Sequence, residues 1–451
     1  MEQRFSRSWV EERVEECIEL WEACALCSMP LSPRYTRKEQ RKREEAYDQG
    51  LRAVQREARR AARTPAEQFL AWQRIVALFP RFAAAALGLE GDTVQLLTGG
   101  FLPLGTQFAR WARDFDPTLS TADTIQACRN AWTACGLQPL LGQPMVLTPS
   151  ILAYSLLYPY SDNYLDHPDL STGEKLHFSE RFRQRLCGQL RSAGNPHEAV
   201  VWTMVQMIED QYPRARYPQV FDSLLAIHRA QERSIAQLDK GNRLADSCGN
   251  IDVVRISCAK GGTSVLADAC LAHPWLTAEE SRLSFEWGVL LQLGDDLQDV
   301  DEDLRRGSVT LFTRAATEGR PLDSLVLQLL NLSQQVADRM DRLPNGTSSL
   351  KELLRFSWRS LILMAVADTH EFFSPAFLAE LEPCSCFRFG FLRERNKKLT
   401  GREALYATLF DAFVEAGPGE QSTLPLPIKP LLAAKAHHSV AELGALSNSC
   451  A

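Results

Sequence analysis

Apolar residues recur at spacings of three and four along almost the whole chain, and this periodicity constrains the fold more than any other feature. Alternation of apolar and polar residues over four to eight positions, which is typical of a half-buried strand, is nearly absent. Helix starts are marked at Thr148-Pro149, a cap followed by a first-turn proline, and at Thr277-x-x-Glu280, a capping box. The pattern predicts an all-α fold, a large antiparallel helical bundle.

Gly- and Pro-containing segments such as 99–105 and 342–346 separate the predicted helices. The predicted helices span residues 9–27, 34–63, 66–88, 121–136, 149–166, 174–192, 196–210, 217–238, 250–271, 278–303, 321–342, 348–372 and 401–415. No linker divides the central part of the chain. We therefore predict an N-terminal helical extension (1–64), one helical domain (65–415) and a Pro-rich, flexible tail (416–451).

Composition excludes several classes of protein. The 451 residues are 45% hydrophobic, which is enough for a core, and they carry a net charge of −6, which argues against general nucleic-acid binding. No apolar run approaches the ~18 residues of a membrane span, and the charged N-terminus lacks the apolar stretch of a signal peptide. Cys24-x-x-Cys27 has no second metal-type pair to complete a zinc site. We expect a cytoplasmic protein without a transmembrane segment.

Two acidic residues close the predicted helix 149–166. Asp162 and Asp166 are four positions apart, so a helix presents both carboxylates on one face, where like charges repel unless a cation lies between them. The preceding residues, ILAYSLLYPY, are apolar and aromatic. The sequence predicts a buried helix whose acidic end opens into a cavity.

A second acidic set follows an apolar run in FEWGVLLQLGDDLQDVDEDLRRG. Asp295, Asp299 and Asp303 are spaced by four residues and form one stripe on a helix, with Asp296 beside it. Solvated helix ends would explain either set alone. The two sets together favour two acidic helix ends that face each other across a pocket and are neutralised by divalent cations.

Magnesium suits such a pocket, because it takes oxygen ligands and is usually held by one or two carboxylates together with substrate phosphates. The expected ligand is therefore a diphosphate, whose remaining charge requires basic residues. The candidates are Arg216, Arg255, Lys260, Arg305 and Arg306.

Lys260 is followed by Gly261 and Gly262 inside an otherwise helical run, where each glycine costs ~1 kcal/mol relative to alanine. One interpretation is a break in the helix that exposes backbone N–H groups to a diphosphate. The other is close packing of two helices at small residues.

The segment QLGDDLQDVDEDLRRGSVTLF resembles the second aspartate-rich motif of the class I isoprenoid synthases. The matching residues are Gln292, Asp295, Asp296, Asp299, Asp303, Leu304, Gly307, Thr310 and Leu311. Ser308 stands where the family has lysine. Asp162-x-x-x-Asp166 is similar to the first motif of squalene and phytoene synthases, and the resemblance covers about residues 65–375.

Two features depart from parts of that superfamily. HPDLSTGEK follows Asp166 without the arginine pair of chain-elongating enzymes, and the Asn/Asp-x-x-Ser-x-x-x-Glu motif of plant and fungal cyclases is missing. The chain is most similar to bacterial class I terpene synthases or to squalene and phytoene synthases. The resemblance implies a class I terpenoid synthase bundle around a central cavity, Mg²⁺ on Asp162, Asp166, Asp295, Asp296, Asp299 and Asp303, and a prenyl diphosphate substrate.

In such an enzyme the carbocation formed by ionisation lies in a dry pocket with aromatic walls. The candidates for that pocket are Tyr154, Tyr158, Tyr160, Gly261, Gly262, Phe285 and Trp287.

Three functions remain open from the sequence: a terpene synthase acting on one prenyl diphosphate, a transferase that joins two, and an inactive helical protein that binds an isoprenoid or a partner chain. We also expect a monomer or homodimer that binds no nucleic acid. Peripheral membrane contact would suit the release of an apolar product.

Overall fold

The computed structural model describes residues 4–25, 33–60, 65–166, 170–234 and 252–400. Within these ranges the protein is all-α, a bundle of packed helices without a β-strand. The helices are α1 (Arg7–Cys24), α2 (Arg37–Arg60), α3 (Pro65–Phe82), α4 (Gly91–Leu96), α5 (Leu102–Phe115), α6 (Thr121–Leu140), α7 (Pro149–Asp166), α8 (Thr172–Leu186), α9 (Pro196–Gln211), α10 (Pro218–Ser234), α11 (Val253–Ala272), α12 (Ala278–Gln298), α13 (Val300–Arg306), α14 (Leu311–Thr317), α15 (Asp323–Arg342), α16 (Ser348–Asp368), α17 (Pro375–Leu381) and α18 (Phe389–Thr400).

Capping residues define several of the predicted helix starts. Thr277 and Glu280 form the expected capping box at α12, and the Thr148 hydroxyl accepts a hydrogen bond from the amide of Ile151 in the first turn of α7. Because these side chains satisfy backbone donors that a helix leaves unpaired, they fix where the helix begins. The predicted bounds of α7, 149–166, are those of the structure.

The structure also contains helices that the sequence did not predict. Among them are α4, α5 and a π-helical segment, Leu97–Phe101, between them. The Gly99-Gly100 pair and Pro103 favoured an irregular connection there, but Pro103 lies in the first turn of α5, where a proline is tolerated. The glycine–proline cluster therefore changes the helix type without ending the helical path. The predicted helix 401–415 and the tail 416–451 lie outside the described residues.

Helix α11 forms the centre of the bundle. It packs against α6, α7, α10, α12 and α1, and most of its residues are buried. A helix that neighbours cover on most sides keeps little polar surface, which explains its many small and apolar residues.

The contact between α11 and α12 corrects the predicted break at residues 260–264. Helix α11 is continuous from Val253 to Ala272, and Gly261 and Gly262 pack against Gly288 of α12. A Cβ atom added at Gly288 would lie 2.0 Å from the carbonyl oxygen of Gly261. Glycine is therefore required because the two backbones touch, and not because a substrate approaches.

Helix α1 belongs to the main core, although we predicted residues 1–64 as an extension. It packs on α11, α12 and α15, and its buried side chains include Val14, Cys17 and Trp21. The ring of Trp9 contacts that of Phe285 edge-on, with centroids 6.0 Å apart. Residues of the first helix thus complete the packing of the central pair.

Cysteines in the described residues are free thiols, and most of them are buried. Burial raises the pKa of Cys128, Cys135, Cys258 and Cys270 to about 12, so these thiols behave as small apolar groups. No helix in the described part of the chain is both long enough and apolar enough to cross a membrane.

Candidate active site

The aspartates of the second acidic set lie on successive helical turns. Helix α12 passes into α13 through Asp299, whose amide donates to the carbonyl of Asp295 at 2.9 Å, and the amide of Asp303 donates to the carbonyl of Asp299 at 2.8 Å. The backbone at Asp299 leaves the helical region slightly, with φ −95° and ψ 8°. Because the hydrogen bonds continue through this point, Asp295, Asp299 and Asp303 keep the four-residue spacing of the sequence. We call these three residues the acidic stripe.

Asp296 differs from its neighbour Asp295. It is buried, and its two carboxylate oxygens accept hydrogen bonds from the Ser257 hydroxyl at 2.7 Å and the Gln292 amide at 2.8 Å. Burial raises the pKa of Asp296 to about 6, against the opposing effect of these two bonds. The structure therefore places Asp296, which we predicted as a metal ligand, in the contact between α11 and α12.

Asp295 borders a solvent-accessible space beside the acidic stripe. Its side chain is 51% exposed, yet burial is the largest cause of its raised pKa. Both observations hold together if the carboxylate lines a cavity that water can enter but that protein surrounds. Arg129 and Lys260 lower the pKa of Asp295, and Asp299 raises it.

The rest of the stripe is poorly neutralised. Burial and then Glu302 raise the pKa of Asp299, while burial and then Asp299 raise the pKa of Asp303. Arg306 lowers the pKa of both, but its guanidinium is also paired with Glu302. Like charges on adjacent turns of one helix disfavour ionisation, and a bound cation would relieve that repulsion.

Arg129 of α6 is the residue of this site that our sequence analysis missed. Its Nη2 atom lies 3.5 Å from Oδ1 of Asp295, and it lowers the pKa of both Asp295 and Asp299. One signal could have identified it, because Arg129 is the single charged residue between Asp123 and Asp162. A lone charge in so apolar a stretch needs a partner.

Helix α7 runs antiparallel to α11. The Tyr154 hydroxyl donates to the carbonyl of Ser264 at 3.0 Å, half-way along α11. The beginning of α7 lies near the end of α11, since Ser150 bonds to Gln211 and the adjacent Tyr212 donates to the carbonyl of Leu271. The end of α7 is therefore directed toward the first turns of α11.

That end of α11 is where Ser257 meets Asp296, so positions 162 and 166 lie at the same end of the bundle as the acidic stripe. The side chains of Asp162, Asp166 and Tyr158 lie outside the described ones. In the described part of the chain no three His, Cys, Asp or Glu side chains are grouped to hold a metal ion.

The predicted basic residues divide into two groups. Lys260 is close enough to lower the pKa of Asp295 and Asp296, and Arg306 lies near Asp299 and Asp303. Arg305 is near by on α13, but its Nε donates to the carbonyl of Asp301 in its own helix at 3.2 Å.

The structure places two of the predicted diphosphate ligands away from the acidic stripe. Arg255 turns toward α1, where it pairs with Glu15 at 2.7 Å and with Asp252 at 3.0 Å. Arg216 lies over the ring of Tyr217, which contacts Trp275 beyond the end of α11. With a rise of ~1.5 Å per residue, that point is about 20 Å from the turn that meets Asp296. The sequence shows which basic residues are near an acid along the same helix. It does not show which basic residues approach that acid from another helix.

The predicted cavity walls also need correction. Phe285 is fully buried against Gly262, and Trp287 packs edge-on against Trp358, so both rings belong to the dry core. Tyr154 is buried as well, and Tyr160 donates a hydrogen bond from its hydroxyl to Asp116. Gly261 and Gly262 face α12 and not the cavity.

Apolar side chains that remain accessible lie next to Arg129 instead. Ile125 and Trp132 occupy the same face of α6 as Arg129, one turn before and one turn after it, and are 48% and 41% exposed. Met364 of α16 is exposed one turn from Leu361, which packs beside Gly294. Exposed apolar side chains of α6 therefore flank the guanidinium that lies near Asp295.

The donor atoms of this space suit a hard cation. Carboxylate oxygens on adjacent turns match the ligand preference of Mg²⁺. No protein-family model, curated protein or solved structure matches this chain.

Proposed function

We propose that this protein is a Mg²⁺-dependent class I terpene synthase, which ionises a prenyl diphosphate and releases diphosphate. The proposal combines the resemblance of residues 292–311 to an aspartate-rich motif with the chemistry of the accessible space around the acidic stripe.

One observation carries the proposal. Three carboxylates lie on adjacent turns, burial raises the pKa of each, and Asp299 further raises the pKa of the other two. The basic side chains near them are Arg129, Lys260 and Arg306. At a fully solvated helix end, burial would not be the largest cause of the raised pKa values, and a structural ion-pair cluster would neutralise its acids. The arrangement supports a site that binds cations from solution.

Asp295, Asp299 and Asp303 would hold Mg²⁺, together with Asp162 and Asp166 of α7. When bound, Mg²⁺ supplies Lewis-acid stabilisation of the departing diphosphate. Lys260 and Arg306 would add charge-assisted hydrogen bonds to diphosphate oxygens. Asp296 acts indirectly, since its bonds to Ser257 and Gln292 fix the turn of α12 that carries Asp295.

The apolar surface of Ile125, Trp132 and Met364 would accept the prenyl chain and exclude water from the carbocation. The diphosphate and the hydrocarbon of one substrate would thus meet basic and apolar side chains that are adjacent on α6. This match favours a prenyl diphosphate over a nucleotide or a sugar phosphate.

Diphosphate release from a panel of prenyl diphosphates of ten to twenty-five carbons tests the proposal. We expect Mg²⁺-dependent release with at least one substrate, and a loss of about 10²–10³-fold in Asp295→Asn, because that change removes a ligand carboxylate. Asp210→Asn is the matched control, since Asp210 is exposed on α9 and bonds only to Gln206 in its own helix.

Retained turnover in Asp295→Asn would show that the metal site is elsewhere. The absence of release with every chain length would leave an isoprenoid- or partner-binding protein as the better hypothesis. Product analysis adds a second decision, because a product with twice the substrate's carbons would identify a transferase that joins two prenyl diphosphates.

A further inference from the structure

We propose that Arg129 is a substrate-binding residue that exchanges partners, held by Asp295 in the empty site and transferred to the diphosphate when metal occupies Asp295. This inference rests on the proposed function and deepens it, because it assigns the coupling of metal and substrate to one side chain of α6.

The position of Arg129 is fixed at its backbone. The neighbouring side chain, Asn130, donates to Asp268 of α11 at 3.0 Å and to Ser155 of α7 at 3.3 Å. These bonds tie α6 to both helices at this level of the bundle. The base of the Arg129 side chain is therefore held, while its guanidinium stays exposed beside Asp295.

The contact of Arg129 with Asp295 is weak. The two atoms are 3.5 Å apart, and the side chains are 53% and 51% exposed. Other arginines of this protein make closer pairs, such as Arg181 with Glu198 at 2.7 Å. Half-exposed ion pairs contribute ~0–1 kcal/mol, so an arriving cation can displace this one at little cost.

The surroundings of Arg129 match an amphipathic anion. Its guanidinium lies near Asp295 and Asp299, and the exposed Ile125 and Trp132 flank it on the same helix face. A diphosphate bound beside the stripe would meet the guanidinium, which suits phosphate oxygens through its fork of donors. The attached hydrocarbon would lie along the apolar side chains.

The exchange couples the two ligands. In the empty site Arg129 competes with metal for Asp295, and in the loaded site the displaced guanidinium binds diphosphate. Metal and diphosphate should therefore raise each other's affinity by the same factor, as linkage requires. Removing the guanidinium should reduce that factor.

Calorimetry with Mn²⁺ and with inorganic diphosphate tests the exchange without turnover. In Arg129→Gln we expect the affinity for inorganic diphosphate at saturating Mg²⁺ to fall about ten-fold. The affinity for Mn²⁺ alone should stay the same or rise up to about five-fold, because the competing cation is gone. Arg129→Lys should retain part of the diphosphate affinity, since it keeps the charge without the fork.

Arg320→Gln is the charge-matched control, because Arg320 is exposed and pairs with Glu318 away from the stripe. Circular dichroism checks that each variant is folded. If Arg129→Gln is not folded, the diphosphate affinity of Arg129→Lys is compared with that of the wild type instead. A diphosphate affinity within two-fold of wild type in Arg129→Gln would overturn the inference. A fall in Mn²⁺ affinity would also overturn it, because Arg129 would then support the metal site rather than compete with it.

Failure of the proposed function gives a different result. A wild-type protein that binds Mn²⁺ and inorganic diphosphate cooperatively but ionises no prenyl diphosphate would support the exchange and contradict the synthase activity. If the wild type ionises a prenyl diphosphate but Arg129→Gln binds diphosphate as tightly as the wild type does, the synthase activity is supported and the exchange is contradicted.

Discussion

The two flanks of α11 differ in how they pack, one through close backbone contact and the other through charged side chains. Toward α12, Gly261 and Gly262 let two backbones touch Gly288, and the contact is dry and complete. Toward α6 the same helix places the buried carboxyl of Asp268 against Asn130, and toward the acidic stripe it carries the half-buried Lys260. Close packing on one flank gives the stability that lets the other keep incompletely satisfied charges. Under the proposed function, one face of α11 serves stability and another contributes to the substrate site.

We expect the largest loss of stability from a substitution at the glycine contact between α11 and α12. Gly288→Ala should destabilise the protein by about 3 kcal/mol or more, because the new Cβ would lie 2.0 Å from a backbone oxygen that cannot move alone. Chemical denaturation measures the effect.

Gly173→Ala in the exposed first turn of α8 provides the comparison, where a Cβ meets nothing closer than 3.9 Å and alanine should be neutral or stabilising. Equal losses in both variants would mean that the α11–α12 contact is not specially close.

The polar flank predicts a pH dependence through Asp268. This carboxyl is fully buried and accepts one hydrogen bond, from Asn130, while its other oxygen has no hydrogen-bond partner in the described structure. Burial raises the pKa of Asp268 well above its ordinary value. Because the folded state binds this proton more tightly than the unfolded state does, Asp268 lowers the free energy of unfolding as pH rises above ~4.

The isosteric Asp268→Asn cannot ionise and should escape this loss. The variant should gain stability relative to wild type between pH 5 and pH 8, by about 1 kcal/mol or more, in urea denaturation at the two pH values. A difference that does not change with pH would show that Asp268 titrates alike in the folded and unfolded chain.

The smallest effect concerns the acidic stripe. Asp299 raises the pKa of Asp303, which shows that the two carboxylates repel each other when ionised. Mg²⁺ would relieve this repulsion and should stabilise the wild type by about 1 kcal/mol at ten times its dissociation constant. In Asp299→Asn this stabilisation should fall by at least half, as measured by thermal unfolding with and without Mg²⁺. An equal shift in both proteins would remove Asp299 from the metal site and leave the two flanks of α11 less different than proposed.

Local signals predicted the fold well. The bounds of α7 and the capping box of α12 follow from side chains that bond to the nearest backbone groups, and such bonds depend on three or four residues. The helical spacing of the acidic stripe is equally local. The division of residues 278–303 at Asp299 was not predicted, since it depends on how α12 and α13 pack on the rest of the bundle.

Contacts between helices were predicted less well. Asp295 and Asp296 are adjacent and chemically identical, yet one faces open space and the other bonds to Ser257. Arg216 and Arg255 are basic like Lys260, but the course of α10 and α11 directs them elsewhere. Sequence periodicity tells which residues share a face of one helix, and it does not tell which helix covers that face.

The sequence by itself determined an all-α protein, the positions of many helix ends and the spacing of the aspartates, because each follows from interactions within about one helical turn. Only the tertiary structure decided that the glycines of α11 serve packing, that Asp296 is an anchor and that Arg129 faces Asp295. These outcomes depend on which surfaces meet after the bundle assembles, through contacts between residues far apart in the chain.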